Sequence, residues 1–419
     1  MEIPRKFQAR SLLELPVEIL LHIFSFADYR DICRSAQTCR QLKNIAADET
    51  LWRKQAEKCF LVKLGPEDDS WISTFQSYYK RFGKDIPVYQ KVRRTWNRLE
   101  DYLKVNDPRM LDSLRDPACL DEIKIAEQKI KGSLPGDLRC SLQIHNGQEM
   151  NRCFGLLGCM KISSYFRSEV LLDCASMARG YNEDDSELPG CAALTFCFFS
   201  RKAQYIALKD IGGFQVGEIF YPTPDNSNQT KTDHFITGYS FLEWFVRFVD
   251  DLESGAFPRL NEKIYRFYHE PSCVVLTKEC FKASASTCFM PDLSTINPPH
   301  FFFVYRITIS MDSRADKCLS CQLETRHWII TDDEGREERV DGPGVVGEYP
   351  IMTPGAEYSW ISCTTFSTTY GNMRGHFTMR CLENGQEIDI ECPVFHMKCL
   401  PYKTHRDRQQ YILQRKKNL

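Results

Sequence analysis

Cysteine offers the most versatile side-chain chemistry in this chain, which contains nineteen cysteines. Only Cys318 and Cys321 have C-x-x-C spacing, and no second pair or Cys/His cluster follows to complete a tetrahedral zinc site. The count is odd, and no apolar run follows the charged first residues as it would in a secretory signal. We therefore expect reduced, mostly buried thiols, no metal and an intracellular protein.

A second chemical pattern is glycine-rich. Gly342, Gly344 and Gly347 satisfy G-x-G-x-x-G, the spacing of a dinucleotide-binding turn. That chemistry requires a following helix, whose amides and dipole hold the pyrophosphate, and the nearby Pro350 and Pro354 disfavour such a helix. Two interpretations remain open: a backbone nest that holds an anion, and a tight loop that shapes a binding surface.

The remaining candidates for catalysis are weak. The signatures G-x-S-x-G and H-E-x-x-H are absent, and no local motif activates a particular cysteine as a nucleophile. His327 lies beside Trp328 in a strand-like segment, which is typical of a structural histidine. Arg326, His376 and Arg380 fall on polar-facing strand positions and could either reach a ligand or form a solvated sheet face. We predict no catalytic residue and no cofactor.

Composition limits the classes of partner. The 54 basic and 56 acidic residues give a formal net charge of -2, so no overall field favours nucleic acid or an anionic membrane. The most apolar windows, 192–199 and 301–309, are far too short to span a bilayer. A length of 419 residues suggests roughly two to four domains. We expect a soluble protein whose partners are recognised locally.

The first segment has the period of short helices. Pro16 and Glu18 suit the first turn of a helix, and Asp28 can cap a second one. The first helix is apolar nearly all round, through Val17, Ile19, Leu20, Leu21, Ile23, Phe24 and Phe26. A unit of roughly 45 residues cannot bury every face of such a helix. The excess apolar surface must meet either the next domain of the chain or a partner.

The order of residues in this segment favours a partner over the next domain of the chain. Leu12-x-x-Leu15-Pro16-x-Glu18-Ile19-Leu20-x-x-Ile23-Phe24, followed by Cys39-Arg40-x-Leu42 and Leu51-Trp52, closely resembles the F-box. The resemblance implies an all-α unit that docks on a Skp-type adaptor, which bridges to cullin and RING subunits. Carried over by position, the adaptor-binding residues are Leu12, Leu15, Pro16, Ile19, Leu20, Ile23 and Phe24.

The second segment, 90–255, mixes helical and strand periods and is predicted to be an α+β domain. Helical spacing covers Val92 to Leu103 and Ile123 to Ile130, and strands are predicted at 193–199, 204–208 and 216–221. Asn146-Gly147 is a predicted helix stop, and Ser240 is a predicted helix cap. The run from Leu134 to Gln148 and the terminal Phe-Leu-Glu-Trp-Phe helix resemble the SUKH superfamily, a protein-binding scaffold. An unrelated α+β domain is the alternative.

The third segment, 272–402, alternates apolar and polar residues with the period of a strand, as in Phe303, Tyr305, Ile307 and Ile309. Short strands and hairpin turns predict an all-β sandwich. Tyr305-Arg-Ile-Thr-Ile, Arg326-His-Trp-Ile-Ile and the glycine-rich run resemble the ApaG domain, which implies a fibronectin-III-like sandwich. Its candidate substrate or ligand surface is Gly342, Gly344, Gly347, Glu348, Tyr349 and Arg374.

These resemblances together predict five regions: an F-box at 10–56, a helical linker at 57–89, a SUKH-like domain at 90–255, an ApaG sandwich at 272–402 and a basic tail at 403–419. The tail could be a solvated end or a nuclear import signal. The order of domains points to one family of F-box proteins.

The resemblance implies a non-catalytic substrate-recognition subunit of an SCF-type E3 ubiquitin ligase. It would bind substrate proteins through the ApaG or SUKH-like domain, or both, for proteasomal degradation. The alternative is an ApaG module for a small anion or a nucleotide, with the F-box controlling turnover. We expect the nucleus and cytoplasm as location, and neither nucleic acid nor a membrane as a partner.

Overall fold

The computed structural model describes residues 12–62, 70–149, 154–181, 183–185, 187–223, 233–260, 263–267, 274–277 and 280–417. The chain divides into two compact units, one up to Trp96 and one from Asn97 onwards. Within the described ranges, no helix is both long enough and apolar enough to cross a bilayer.

The first unit is helical, as the sequence predicts. Its helices are α1 Val17–Phe24, α2 Tyr29–Ser35, α3 Arg40–Ala46, α4 Glu49–Phe60, α5 Trp71–Phe82 and the first part of α6 Ile86–Asn106. The Asp28 side chain accepts a hydrogen bond from the Arg30 backbone amide, and this satisfies one of the free amides of α2.

Aromatic rings join α5 to the helices before it. The Phe75 ring lies 4.9 Å from that of Trp52 and 5.4 Å from that of Tyr29. Phe60 at the end of α4 packs on the same ring at 5.3 Å. Within the predicted linker at 57–89, the end of α4 and all of α5 are therefore helical and pack into the core of the first unit.

The α+β part of the second unit surrounds two small sheets. Its helices are α7 Pro108–Asp112, α8 Leu120–Ile130, α9 Gly136–Leu142, α10 Cys174–Gly180 and α11 Phe241–Glu253. Its strands are β1 Cys159–Ile162, β2 Tyr165–Leu171, β3 Cys191–Ala193, β4 Thr195–Cys197, β5 Tyr205–Ala207, β6 Ile219–Pro222, β7 His234–Gly238, β8 Arg259–Leu260 and β9 Lys263–Ile264. One sheet has the order β1-β2-β4, while β7-β6-β5-β3 form most of the other.

Several local predictions for this part are confirmed. The Ser240 side chain accepts from the Glu243 amide at the start of α11. The helix before Asn146, however, ends at Leu142, so Gly147 is not its stop. Gly147 has φ +76°, and a Cβ there would lie 2.6 Å from the Leu172 backbone. It is needed for a close approach between chain segments.

The sandwich consists of two antiparallel sheets, as predicted. Its strands are β10 Val274–Thr277, β11 Phe281–Phe289, β12 Phe301–Met311, β13 Cys321–Asp332, β14 Glu337–Pro343, β15 Ile351–Met352, β16 Glu357–Phe366, β17 Tyr370–Cys381 and β18 Glu387–Lys398. One sheet has the order β10-β11-β12-β16 and the other β14-β13-β17-β18, with β15 beside β13. Inward-facing rings fill the space between them, for example Trp328 edge-on to Phe377 at 5.4 Å.

The end of the chain differs from the predicted solvated tail. Strand β19 Tyr402–Lys403 pairs with β7, and helix α12 His405–Lys417 follows. The Arg408 side chain is buried, with its guanidinium 4.4 Å from the Phe214 ring centroid. After the sandwich the chain therefore returns to complete the second α+β sheet.

Candidate protein interface

The first candidate is the α1 surface, a set of exposed apolar side chains on α1, on residues 12–15 before it and at Phe26, two residues after it. Their exposed fractions run from 37% for Leu15 to 76% for Phe26. Its members are Leu12, Leu13, Leu15, Val17, Ile19, Ile23 and Phe26. Folded chains rarely leave so many large apolar side chains contiguous and uncovered unless they bind something.

Local hydrogen bonds fix the geometry of this surface. Pro16 precedes α1 with an extended backbone, where its missing amide costs nothing. The Gln41 side chain donates from Nε2 to the Leu13 carbonyl oxygen at 3.1 Å, and this holds the turn against α3. The exposed side chains therefore stand on a preformed element.

The structure divides the predicted adaptor-binding residues. Leu12, Leu15, Pro16, Ile19 and Ile23 are exposed. Leu20 and Phe24 are only 0% and 6% exposed, because they lie one turn apart on the side of α1 that faces the unit's own core. In the chain without its partner, Leu20 and Phe24 therefore support the surface from below, and their contact with the adaptor stays a prediction.

Sequence reasoning also left out members of this surface. Leu13, Val17 and Phe26 are exposed, but they were not among the residues carried over from the F-box resemblance. A usable signal existed, since a helix that is apolar all round must expose the positions that its own core does not cover.

The second candidate is the glycine loop, residues 342–349, between β14 and β15. Gly344, Val346 and Gly347 have φ of +57°, +51° and +81°. A Cβ at Gly344 would lie 2.5 Å from the Glu348 carbonyl oxygen, so the turn requires glycine there. Strand β15 follows rather than a helix, and the loop lacks the geometry of a dinucleotide site.

Apolar side chains protrude from this loop and its exit. Val346, Tyr349 and Ile351 are 64%, 49% and 53% exposed. Glu348 accepts a hydrogen bond from the Tyr358 hydroxyl at 2.8 Å. Burial and the Glu348 carboxylate raise the pKa of Tyr358 to about 12, so that hydroxyl remains a donor. The loop can present apolar contacts beside a fixed carboxylate.

The Arg326 guanidinium beside the glycine loop already has hydrogen-bond partners. Arg326 donates from Nη1 to the Pro343 and Gly344 carbonyl oxygens at 3.0 and 2.9 Å. Its guanidinium therefore supports the loop from the side. Because these donors already bind backbone carbonyls, Arg326 is poorly placed to hold an anion.

Arg374 was predicted on the same substrate or ligand surface as the glycine loop, and it lies on a separate strand, β17. It lies opposite Ile329 on β13, whereas Gly342 lies opposite Arg326. These two β13 residues are about 10 Å apart along the strand, and β14 and β17 flank β13 on opposite sides, so Arg374 and Gly342 are farther apart still. Arg374 instead pairs with Glu337 at 2.8 Å.

The polar strand positions form an ion-paired sheet face. The rings of His327 and His376 stack with centroids 4.5 Å apart, and Asp341 lies 2.8 Å from His327 Nδ1. Arg380 pairs with Glu324 at 2.5 Å. Each of these side chains has a neighbour in the sheet, which supports the interpretation as a solvated face.

The cysteine pattern gives no reactive centre among the described residues. Cys318 is exposed, Cys321 is buried, and no group of His, Cys, Asp and Glu there could hold a metal. Burial raises the pKa of Cys174 and Cys288 to about 11 and that of Cys321 to about 12. These thiols remain protonated near neutral pH and are poor nucleophiles.

Comparison with known proteins matches both candidate surfaces to families. An F-box-like model matches residues 12–58, which include the α1 surface, and an ApaG domain model matches residues 291–381, which include the glycine loop.

Whole-chain similarity extends beyond these domains. The chain is 40% identical to F-box only protein 3 of Homo sapiens over 94% of this chain and 84% of that protein. It is 25% identical to F-box protein SKIP16 of Arabidopsis thaliana over 87% of this chain and 93% of that protein. Protein ApaG of Pseudomonas paraeruginosa is 38% identical over 29% of this chain and 92% of its own length.

Proposed function

The chain belongs to the F-box only protein 3 family, and from that premise we propose that it is the substrate-recognition subunit of an SCF-type E3 ubiquitin ligase. Its F-box binds a Skp-type adaptor, and through it cullin and RING subunits. Its later domains hold a substrate protein for ubiquitination and proteasomal degradation.

The α1 surface is the observation that carries this proposal. Its apolar side chains are exposed within the region that the F-box-like model matches. Standard interfaces have a desolvated apolar centre, and a few side chains provide most of the binding energy. We assign Leu15, Ile19 and Ile23 to that centre and place Leu12 and Pro16 at its edge.

Substrate binding by the sandwich is supported by the glycine loop. Its protruding Val346 and Tyr349 lie on a rigid two-sheet scaffold, where ordering an interface costs little entropy. The SUKH-like region is the second candidate for substrate binding. Since Arg326 binds loop carbonyls, the geometry favours a protein contact over the alternative of an anion or nucleotide site.

The proposed role is proximity and involves no chemistry by this chain. A receptor that holds a substrate near a ubiquitin-loaded conjugating enzyme converts an encounter between two molecules into a reaction within one complex. The raised thiol pKa values of Cys174, Cys288 and Cys321 are consistent with this role, because transfer through cysteine requires a thiolate. We further propose that the protein acts in the nucleus and cytoplasm.

Co-purification tests the proposed binding of the F-box to a Skp-type adaptor. The variant Leu15→Ala with Pro16→Ala should lose a Skp-type adaptor while the second unit keeps its melting temperature. The matched control is Ile125→Ala on α8, where the side chain is 65% exposed outside the F-box match. Adaptor binding retained by the double variant would contradict the proposal.

Proximity labelling tests the proposed recognition of substrate proteins for ubiquitination. The intact chain and the Leu15→Ala, Pro16→Ala chain should label the same substrates when the proteasome is inhibited. Only the intact chain should increase the ubiquitination of those substrates. Equal ubiquitination with both chains would contradict the receptor role.

A further inference from the structure

An exposed aromatic and basic surface lies in the α+β part of the second unit. It is formed by the loop after β4 and the neighbouring strands β1 and β2. We call it the aromatic-basic patch and define it by Lys161, Phe166, Phe198, Phe199, Arg201 and Lys202.

The local sequence explains why aromatic rings point outwards here. In β4 the side chains alternate, so that Cys197 is fully buried while Phe196 points to the other face, and Phe198 follows directly after the strand. Phe198 is 44% exposed, and Phe199, in the loop, is 63% exposed. Neither ring belongs to the core.

The rings form two edge-on pairs. Phe199 lies edge-on to Phe166 with centroids 4.7 Å apart, and Phe198 lies edge-on to Phe196 at 4.9 Å. Phe166 and Phe196 are only half-buried. The two protruding rings therefore stand beside two lower ones, and a partner's side chain can pack against several rings at once.

Hydrogen bonds hold the loop in this shape. The Arg201 amide donates to the Cys197 carbonyl oxygen, and the Cys197 amide donates to the Lys202 carbonyl oxygen, both at 2.8 Å. Arg201 adopts the left-handed conformation with φ +59°, which closes the turn. A preformed loop loses little conformational entropy when it binds.

Cations without carboxylate partners border the rings. Lys161 lies directly opposite Phe166 in the β1–β2 pair, so both side chains are on the same face. Arg201 and Lys202 follow the protruding rings in sequence and are exposed. In the described part of the chain, none of these cations forms an ion pair, although the net charge of the whole chain is -2. The patch is thus a local positive field around apolar rings.

From this charge and these rings we infer that the aromatic-basic patch binds an acidic segment of a substrate protein that carries an aromatic or aliphatic side chain. Acidic side chains would meet Lys161, Arg201 and Lys202, while the apolar side chain packs on the exposed faces of Phe199 and Phe198. The inference deepens the proposed function and rests on it, since it names the class of segment that the receptor takes.

The occupant is proposed to be a protein segment rather than an anionic membrane. Insertion into a bilayer would use only the two protruding rings, whereas the half-buried faces of Phe166 and Phe196 suit a side chain packed from above. Vesicle binding distinguishes the two occupants in the same experiment.

Selection of short random peptides against the full-length chain tests the inference. The counter-target is Phe199→Ser with Lys202→Glu, two changes at exposed positions that leave the core intact. Peptides that prefer the wild type should be enriched in acidic and aromatic or aliphatic residues. Their affinity, measured by fluorescence anisotropy, should fall at least about tenfold for Phe199→Ser alone and should weaken with added salt.

The matched control is Tyr239→Ser, because Tyr239 is an exposed ring outside the aromatic-basic patch and the α1 surface, and this change should leave peptide affinity unaltered. Selected peptides that are not acidic, or that bind the double variant equally, would overturn the inference. Patch-dependent binding to phosphatidylserine vesicles without peptide selection would also overturn it. Adaptor binding by the same variants separates a failure of this inference from a failure of the proposed function.

Discussion

The guanidinium of Arg167 donates from Nη1 to Oδ1 of Asp292 at 3.2 Å, and the two side chains are only 4% and 3% exposed. Arg167 lies on β2 of the α+β part, and Asp292 begins the region matched by the ApaG model. The Tyr165 hydroxyl donates to the other carboxylate oxygen at 2.5 Å. A buried charge network therefore joins the two parts of the second unit.

Removing the Asp292 carboxylate should destabilise the second unit. Arg167 would keep only Glu169 as a buried carboxylate partner, and breaking a buried ion pair typically costs about 3–5 kcal/mol. We expect Asp292→Ala to lower the free energy of unfolding by about 3 kcal/mol in urea denaturation. The control Asp312→Ala removes an exposed pair with Arg314, which solvent screens, and should lower the free energy of unfolding much less. Equal losses would show that the buried pair contributes no more than a surface pair.

The stability should depend on the protonation of Asp251, beside Arg247 and Arg266 in an inter-element cavity of about 80 Å³. Burial raises the pKa of Asp251 to about 6, although the two arginines oppose the shift. A carboxyl with a raised pKa destabilises the fold when it ionises, so this penalty grows from about pH 4 to pH 6 and is complete above that range. Asp251→Asn should therefore raise the melting temperature near pH 7.5 more than near pH 4.

The neighbouring Asp250 provides the control for this prediction. It accepts from Arg98 Nη2 at 2.6 Å and is 55% exposed. Asp250→Asn loses that pair and should give no stabilisation at either pH. A pH-independent effect of Asp251→Asn would mean that its carboxyl does not titrate in this range.

The backbone conformation of Val346 should lower the stability of the glycine loop. It is a β-branched residue with φ +51°, a conformation that costs about 1–3 kcal/mol outside glycine and a few polar residues. Val346→Gly should raise the free energy of unfolding by about 1 kcal/mol and weaken substrate binding if the exposed side chain contacts the partner. Gly347→Ala at φ +81° should have the opposite effect on stability. Destabilisation by Val346→Gly would contradict this account of the strain.

The spacing of apolar residues along the sequence was sufficient to predict the helices and strands that bury one continuous stripe of side chains. Val92, Trp96, Leu99 and Leu103 repeat at helical spacing and are fully buried along α6. The alternation in β12 likewise follows its two faces, with Phe303 and Ile307 inside the sandwich. A stripe of buried residues has a period that can be read without the partner it packs on.

The spacing of apolar residues does not predict contacts between segments that are distant in sequence. Arg408 looks like a solvated residue in a basic tail, but stacking on Phe214, far away in sequence, buries it. Arg374 is predicted on one candidate surface with the glycine loop, whereas strand register puts it beside Glu337. Register and chain return are set by tertiary pairing, which period and composition do not encode.

The division of α1 into exposed and buried faces provides the sharpest contrast between adaptor binding and folding. Ile23 is 41% exposed and Leu20 is fully buried, although both were predicted at the interface. Leu20→Ala should lower the free energy of unfolding by about 2–5 kcal/mol, because it leaves a cavity. Ile23→Ser should leave the melting temperature of the chain nearly unchanged.

Calorimetric titration of the full-length chain with a purified Skp-type adaptor tests the central claim most directly. The variants to compare are Ile23→Ser and Ile125→Ser, since both side chains are exposed isoleucines on helices. We predict that Ile23→Ser raises the Kd at least about tenfold, while Ile125→Ser leaves it unchanged. Equal Kd values for Ile23→Ser and the wild type, with the chain folded, would contradict the assignment of the α1 surface as the adaptor interface.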